Sequence, residues 1–391
     1  MTNWLMLAGK PVGASGRQED KSLGEKIRGI SWGLVLLLTA IAGVGFAMLY
    51  SAASGHFEPW MSRQMMRFAI GLLLMLGVAI LDLRFWLRYA YLFYLFAFAL
   101  LVFVEVEGQI GMGAQRWIDL GAFQIQPSEI MKIALVLALA RYFHRLDFDA
   151  IGKPLPLFVP IGLVLTPAGL VLLQPDLGTA GMLLLIGAAM FFLAGVKLWK
   201  FVVVGLLGLG AIPIGWEFLR DYQRQRVLTF LNPESDPLGS GYHILQSKIA
   251  FGSGGVFGKG FLMGTQSHLN FLPERQTDFI FTMLAEEFGM AGGLVLLGLY
   301  GLVILYGYAI AMRSRNQFGR LLALGITSSL FFYVFINTAM VMGLIPVVGV
   351  PLPLISYGGT AMLTLLMGFG FVLSVNIHRD TRIGQHSFDE G

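Results

Sequence analysis

Ten separate stretches of this 391-residue chain are apolar for about the length needed to cross a bilayer, and no other feature restricts its fold so severely. A hydrocarbon core of about 30 Å takes roughly 20 residues of helix. Inside it every backbone N–H and C=O must be satisfied by protein, which leaves helices or closed barrels. The runs lie at roughly 31–50, 68–82, 88–104, 129–143, 156–173, 179–195, 199–216, 279–311, 321–343 and 357–376. They are continuous rather than alternating, so they predict helices, not barrel strands. Only 13% of the residues are charged and 56% are hydrophobic, against about 25% charged in a soluble domain. A soluble enzyme and a disordered chain are excluded. A net charge of +4 with no basic tract also excludes a nucleic-acid binder. The expected fold class is an all-α polytopic membrane protein with about ten transmembrane helices. It comprises a polar tail at 1–28, a single transmembrane domain over 29–378 and a second tail at 379–391.

The eighth run is too long for one simple span, because its 33 residues would extend about 50 Å. Its first turns, with Glu286 and Glu287, are expected to stand above the hydrocarbon or to break near Gly289–Gly293. Orientation follows from Lys and Arg in the short connections. With the N-terminus inside, 17 of the 27 fall inside and ten outside, and six of those ten lie in one long loop that the rule weights weakly. Both termini are therefore expected in the cytoplasm, with the long loop, 217–278, outside between the seventh and eighth spans. The first apolar run has no small-residue cleavage site after it and reads as a retained signal anchor. Cysteine is absent, which removes disulfides, thiolate metal sites and a cysteine nucleophile.

The long loop holds the Gly-rich piece Gly252-Ser-Gly-Gly-Val-Phe-Gly-Lys-Gly260. It fails as a phosphate loop, since Ser253 stands where the first Gly of GxxxxGK[ST] belongs and Gly260 where Ser or Thr belongs. A flexible turn is the expected role.

Ionisable residues at membrane depth are costly and draw functional attention. Three groups stand on the outer side. In Gln126-Pro-Ser-Glu-Ile-Met-Lys132, Pro127 fits a helix start and Ser128 a cap. Glu129 and Lys132 share a helical face and can pair, which alone would make them a self-neutralising anchor. With Arg116 and Trp117 just upstream, Arg116 and Lys132 can instead bind a lipid-linked pyrophosphate. In Phe271-Leu-Pro-Glu-Arg-Gln-Thr-Asp-Phe279, Thr277 or Asp278 can cap the eighth span, or Asp278 can serve as a general base near cations. In Gln174-Pro-Asp-Leu-Gly-Thr179 the carboxylate can cap the sixth span. The apolar but breaker-rich segment from Ile345 to Gly359 must be buried in protein or line a cavity, and can frame a groove or a transport path. The six His residues show no metal-ligand spacing.

Together these segments resemble the SEDS family (shape, elongation, division and sporulation) of cell-wall polymerases. The pieces that match are Gln115-Arg-Trp-Ile118, Gln126-Pro-Ser-Glu-Ile-Met-Lys132, Gln174-Pro-Asp-Leu-Gly-Thr179, Gly252-Ser-Gly-Gly255, Phe271-Leu-Pro-Glu274 with Thr277-Asp-Phe279, and Pro353-Leu-Ile-Ser-Tyr-Gly-Gly359. They run in order, on one side of the chain, over 30–378. Gln174-Pro-Asp-Leu-Gly-Thr179 is closer to elongation-type members than to division-type ones, in which Glu-Pro-Asp is commoner. Gln276 departs from the many relatives that carry His there, which speaks against an indispensable proton carrier at that position.

The resemblance implies peptidoglycan glycosyltransfer at the outer face of the cytoplasmic (inner) membrane during elongation, with lipid II as substrate. It implies Asp278 as the catalytic carboxylate. It places Arg116, Trp117, Glu129 and Lys132 in the substrate cleft and draws in Arg226, Glu274 and Thr277. It further implies a class B penicillin-binding transpeptidase and other elongation-complex membrane proteins as partners. A divalent cation, Mg2+ or Mn2+, is implied too, with Asp278 and Glu129 as its candidate ligands. The residue chemistry fits that reaction. An inverting hydrolase needs a second carboxyl to protonate its leaving group, but a pyrophosphate leaves already ionised, so one base plus cations suffices. The rival readings are a lipid II flippase, a division-type polymerase and a non-catalytic scaffold.

Overall fold

The computed structural model describes residues 21–111, 114–119, 121, 124–219, 221–232, 240–265, 275–381 and 383. The helices, in chain order, are α1 (Leu23–Arg28), α2 (Trp32–Ala52), α3 (Met61–Ile80), α4 (Leu83–Glu107), α5 (Pro127–Arg145), α6 (Phe148–Ile151), α7 (Phe158–Leu173), α8 (Leu177–Ala194), α9 (Leu198–Phe218), α10 (Asp221–Leu231), α11 (Ser240–Gly254), α12 (Ile280–Arg313), α13 (Gln317–Val341) and α14 (Gly359–Ile377). Among the described residues nine helices are long and apolar enough to cross a membrane: α2, α3, α4, α7, α8, α9, α12, α13 and α14, with α7 taken together with the turn before it. The fourth apolar run forms α5, which carries Glu129, Lys132, Arg141 and Arg145 and so differs in composition. Its 19 residues still measure about 28 Å. It packs against α4, α7, α8, α13 and α14 and is buried along nearly its whole length. A helix shielded from lipid on all sides can hold charge.

The lipid-facing helices show the reverse pattern. α9 has no buried residue, and Leu206, Leu207 and Ile214 stand fully outward. Where helices touch closely, small residues make room. A Cβ on Gly370 would lie 2.7 Å from the Met75 carbonyl, so α14 and α3 meet backbone to backbone there. The first and last described segments, near Lys21 and Arg379, gather at one end of the bundle. Lys21 and Lys26 bond the carbonyls of Ile377 and Ile80, and the amide of Arg315 bonds the carbonyl of Arg379.

The all-α polytopic fold class holds, and the connection from α4 to α5 adds a small antiparallel sheet of β1 (Gln109–Gly111), β2 (Ala114–Asp119) and β3 (Gln124–Ile125). Trp117 pairs with Gln109, and Ile118 with Ile125. Two expectations need correction. Ser128 does not cap α5; Gln126 is the cap residue and makes no side-chain cap bond, while its backbone N–H donates to the Thr360 hydroxyl at 3.3 Å. The Gly-rich piece is not a loose turn but a clasp. α12 breaks at Gly289 (φ 67°, ψ −165°), within the expected interval. The backbone groups on either side of the break are taken up by residues 255–260. Met290 and Ala291 donate to the carbonyls of Gly255 and Val256, while Lys259 and Gly260 donate to those of Glu286 and Glu287, all near 3.0 Å. A Cβ at Gly289 would stand 2.5 Å from the Val256 oxygen, so only glycine permits this approach. The Lys259 ammonium adds a 2.7 Å ion pair to the buried Glu286 carboxylate.

Candidate active site

The breaker-rich segment between α13 and α14 organises the site. It is irregular, half-buried over most of its first half and buried at Leu352–Ser356, as suits a non-helical stretch lining a cavity at this depth. Its residues touch several of the candidate motifs in turn. Val347 offers its carbonyl to Arg226 at 3.3 Å. The carbonyl of Val348 lies directly over Gly178, in the Gln174–Thr179 turn. A Cβ on Gly349 would sit 3.5 Å from the Asp278 Oδ2. Val350 accepts from Asn337 at 2.7 Å. Ser356 donates its hydroxyl to the Thr277 carbonyl at 2.6 Å, and the Tyr357 amide bonds the Gln276 carbonyl at 2.8 Å. The segment rests on α2 at Gly45, where a Cβ would meet the Leu354 carbonyl at 2.6 Å.

Asp278 stands just before α12. The expected cap at Thr277 or Asp278 is displaced by one residue, because Phe279 holds the N-cap position and makes no side-chain cap bond. The Asp278 carbonyl accepts from the Asn337 amide of α13 at 3.0 Å. Beside it, burial lowers the Arg275 guanidinium below its ordinary value, and that group lies 5.8 Å from the centre of the Trp60 ring.

Glu129 and Lys132 do pair, at 2.7 Å, and both are almost fully buried (5% and 4% exposed). Sequence reading missed the third member. Tyr333 of α13 donates its hydroxyl to the other Glu129 oxygen at 2.6 Å and also accepts from the Lys132 ammonium, which lies over its ring. Only the contact between α5 and α13 could reveal it, since nothing in the pattern around Tyr333 sets it apart. The three side chains line a cavity between α5, α13 and α14 whose wall also includes Ile326, Leu365 and Gly368.

Arg116 extends from β2 to Asp176, 3.3 Å away, and to the Pro175 carbonyl. Asp176 also caps α8 through the amide and hydroxyl of Thr179, so it combines the expected cap with an ion pair. The two cations expected for a pyrophosphate are therefore each held by a carboxylate. Trp117 is half-buried beside Arg116, and Arg226 is exposed. Glu274 lies outside the described residues. On the α3 side, Arg67 places its guanidinium over the Tyr357 ring at 4.7 Å.

Among the described residues no three His, Cys, Asp or Glu side chains gather as a metal cage. Glu129 already uses one oxygen on Lys132 and the other on Tyr333. A divalent cation at Glu129 would therefore have to displace one of these two partners.

Comparison with known proteins bears on this arrangement. A family described as cell cycle protein, FtsW/RodA/SpoVE, matches residues 31–381. The peptidoglycan glycosyltransferase MrdB of Escherichia coli K12 is 49% identical over 349 residues, covering 88% of this chain and 93% of the relative. A solved chain, from work on coordinated polymerization and crosslinking by a peptidoglycan synthase complex, superposes with a TM-score of 0.77. It is 36% identical and covers 90% of this chain and 98% of its own. The rod shape determining protein RodA of Thermus thermophilus superposes with a TM-score of 0.69 at 32% identity, over 90% and 98% of the two chains.

Proposed function

The chain belongs to the FtsW/RodA/SpoVE family and is a multi-pass membrane peptidoglycan glycosyltransferase, and on that premise we propose that Asp278 is the base of an inverting lipid II polymerase. The acceptor's GlcNAc 4-hydroxyl attacks the anomeric carbon of the lipid-linked donor MurNAc. Its proton passes to the Asp278 carboxylate as the new glycosidic bond forms. The bond from that carbon to the phosphate oxygen breaks, its electron pair leaves with undecaprenyl pyrophosphate, and α configuration becomes β. No protein acid is needed for a leaving group that departs as an anion.

The observation that carries this reading is the convergence on one irregular segment, 345–358, of Asp278, the Gln174–Thr179 turn and the Glu129–Lys132–Tyr333 triad. Arg116 and Lys132 serve as electrostatic stabilisers of the pyrophosphate, and Asp176 and Glu129 keep them oriented until the anion arrives. The apolar cavity beside the triad suits the first units of a prenyl chain. A Mg2+ or Mn2+, if bound, would be held by Asp278, with Glu129 if it gives up a present partner, and would supply positive charge to the departing pyrophosphate. The site faces outward from the cytoplasmic membrane, and a class B penicillin-binding transpeptidase crosslinks the strands during elongation.

The test is lipid II polymerisation by the purified protein with its transpeptidase. Wild type should give glycan chains and Asp278→Asn none, with both complexes intact. Full activity in Asp278→Asn would remove Asp278 from the base role.

A further inference from the structure

A general base works only when it stands within hydrogen-bond reach of the proton it takes, and Asp278 lies in non-helical backbone between a long loop and α12. Something must hold it. Three consecutive carbonyls do the anchoring: Gln276 to the Tyr357 amide, Thr277 to the Ser356 hydroxyl and Asp278 to the Asn337 amide. The first two tie the loop to the breaker segment alone. Asn337 differs, because its one Nδ2 divides its two N–H bonds between the Asp278 carbonyl at 3.0 Å and the Val350 carbonyl at 2.7 Å.

Asn337 sits one turn before the end of α13 and has no exposed surface. Val350 follows Gly349, whose left-handed φ of 75° brings the backbone beside the Asp278 carboxylate. A single planar amide therefore fixes the spacing of the two backbone strands that flank the carboxylate, and refers both to a rigid buried helix. Few residues can do this. Leu has the shape but would leave two buried carbonyls unpaired, Asp has no N–H to give, and Ser has one short donor.

We propose that Asn337 is a positioning residue for Asp278, setting the carboxylate's reach to the acceptor hydroxyl. The proposal rests on the reading of Asp278 as base. Misplacing a catalytic group by about 1 Å can cost roughly 100-fold in rate. Loss of the amide should thus lower kcat about 10- to 100-fold and leave KM for lipid II within about threefold, because Asn337 touches neither Arg116 nor Lys132.

The experiment compares lipid II polymerisation kinetics of the full chain with its transpeptidase for wild type, Asn337→Leu, Asn337→Ser, Asn337→Gln and Asp278→Asn, each normalised to folded protein. The expected result is a kcat defect without a KM defect in the Leu and Ser variants, with partial recovery in the Gln variant, which retains both donors. If Asp278→Asn is active, the premise about the base has failed, whatever the Asn337 variants do. If Asp278→Asn is dead, the Asn337 inference is overturned alone by any of three results: kcat within twofold of wild type in the folded Leu or Ser variant, a defect carried equally by KM, or failure of both variants to fold, which would make Asn337 a structural residue only.

Discussion

Removing the Lys132 ammonium is the sharpest perturbation of the buried triad. In Lys132→Met the Glu129 carboxylate stays 5% exposed and loses the cation 2.7 Å away, keeping only the Tyr333 hydroxyl at 2.6 Å. Breaking a buried ion pair from one side costs about 3–5 kcal/mol, because the remaining charge is desolvated without compensation. That is roughly a 10²- to 10⁴-fold shift toward the unfolded state. The double variant Glu129→Gln with Lys132→Met removes both charges, and its amide retains a bond to Tyr333. It should recover most of the loss, since replacing a buried pair by neutral groups of similar volume is often neutral in stability. The assay is reversible unfolding in mild detergent titrated with SDS, run on all four corners of the cycle. A coupling energy near 3 kcal/mol is expected. A double variant as unstable as Lys132→Met would refute the electrostatic argument. Polymerisation adds a second axis: the double variant should be stable yet inactive, and a stable, active double variant would take Lys132 out of the pyrophosphate site.

Two further measurements probe the clasp and the orientation. Gly289→Ala forces a side chain into a φ of 67° and against the Val256 oxygen, so it should lose more than about 2 kcal/mol. In the same helix Gly298→Ala has open space around it and should be neutral or gain up to about 1 kcal/mol. Equal effects in the same unfolding assay would contradict the clasp. Because the chain has no cysteine, single cysteines report sidedness directly. A cysteine at the exposed Phe257 should react with an impermeant maleimide in intact cells, and one at the exposed Asp149 only after permeabilisation. The opposite pattern would invert the topology.

Much of this was readable from the chain because lipid imposes simple rules. Run length alone located the spans, and the excess length of the eighth run placed its break near Gly289. Helical spacing paired Glu129 with Lys132. What escaped depended on partners far apart in sequence. Tyr333 and Asn337 lie on α13 among apolar residues, and only packing reveals that one completes the triad and the other holds Asp278. The sheet around Trp117 has strands of three, six and two residues, too short to show an alternating pattern. The Gly-rich piece lacks the spacing of a nucleotide loop and reads from sequence as a flexible turn. Its actual task, supplying backbone to a broken helix, needs the break itself as context. The cations were read as open to an anion, but Asp176 and Glu129 occupy them first.

Pairing each cation with a carboxylate leaves these four charged groups nearly neutral together, which lowers the cost of burying them at the membrane boundary. On the proposed polymerase reading, a pyrophosphate entering from the lipid would compete with those carboxylates, and it carries more charge than either. Its arrival leaves Asp176 and Glu129 with weaker partners, but each retains a second bond, Asp176 to Thr179 and Glu129 to Tyr333. The carboxylates can therefore stay in place while the cations turn toward the substrate, and return to them when the pyrophosphate leaves. On this argument Tyr333→Phe should slow turnover more than it weakens substrate binding, because it removes the group that supports Glu129 during each exchange. A loss confined to KM would refute it.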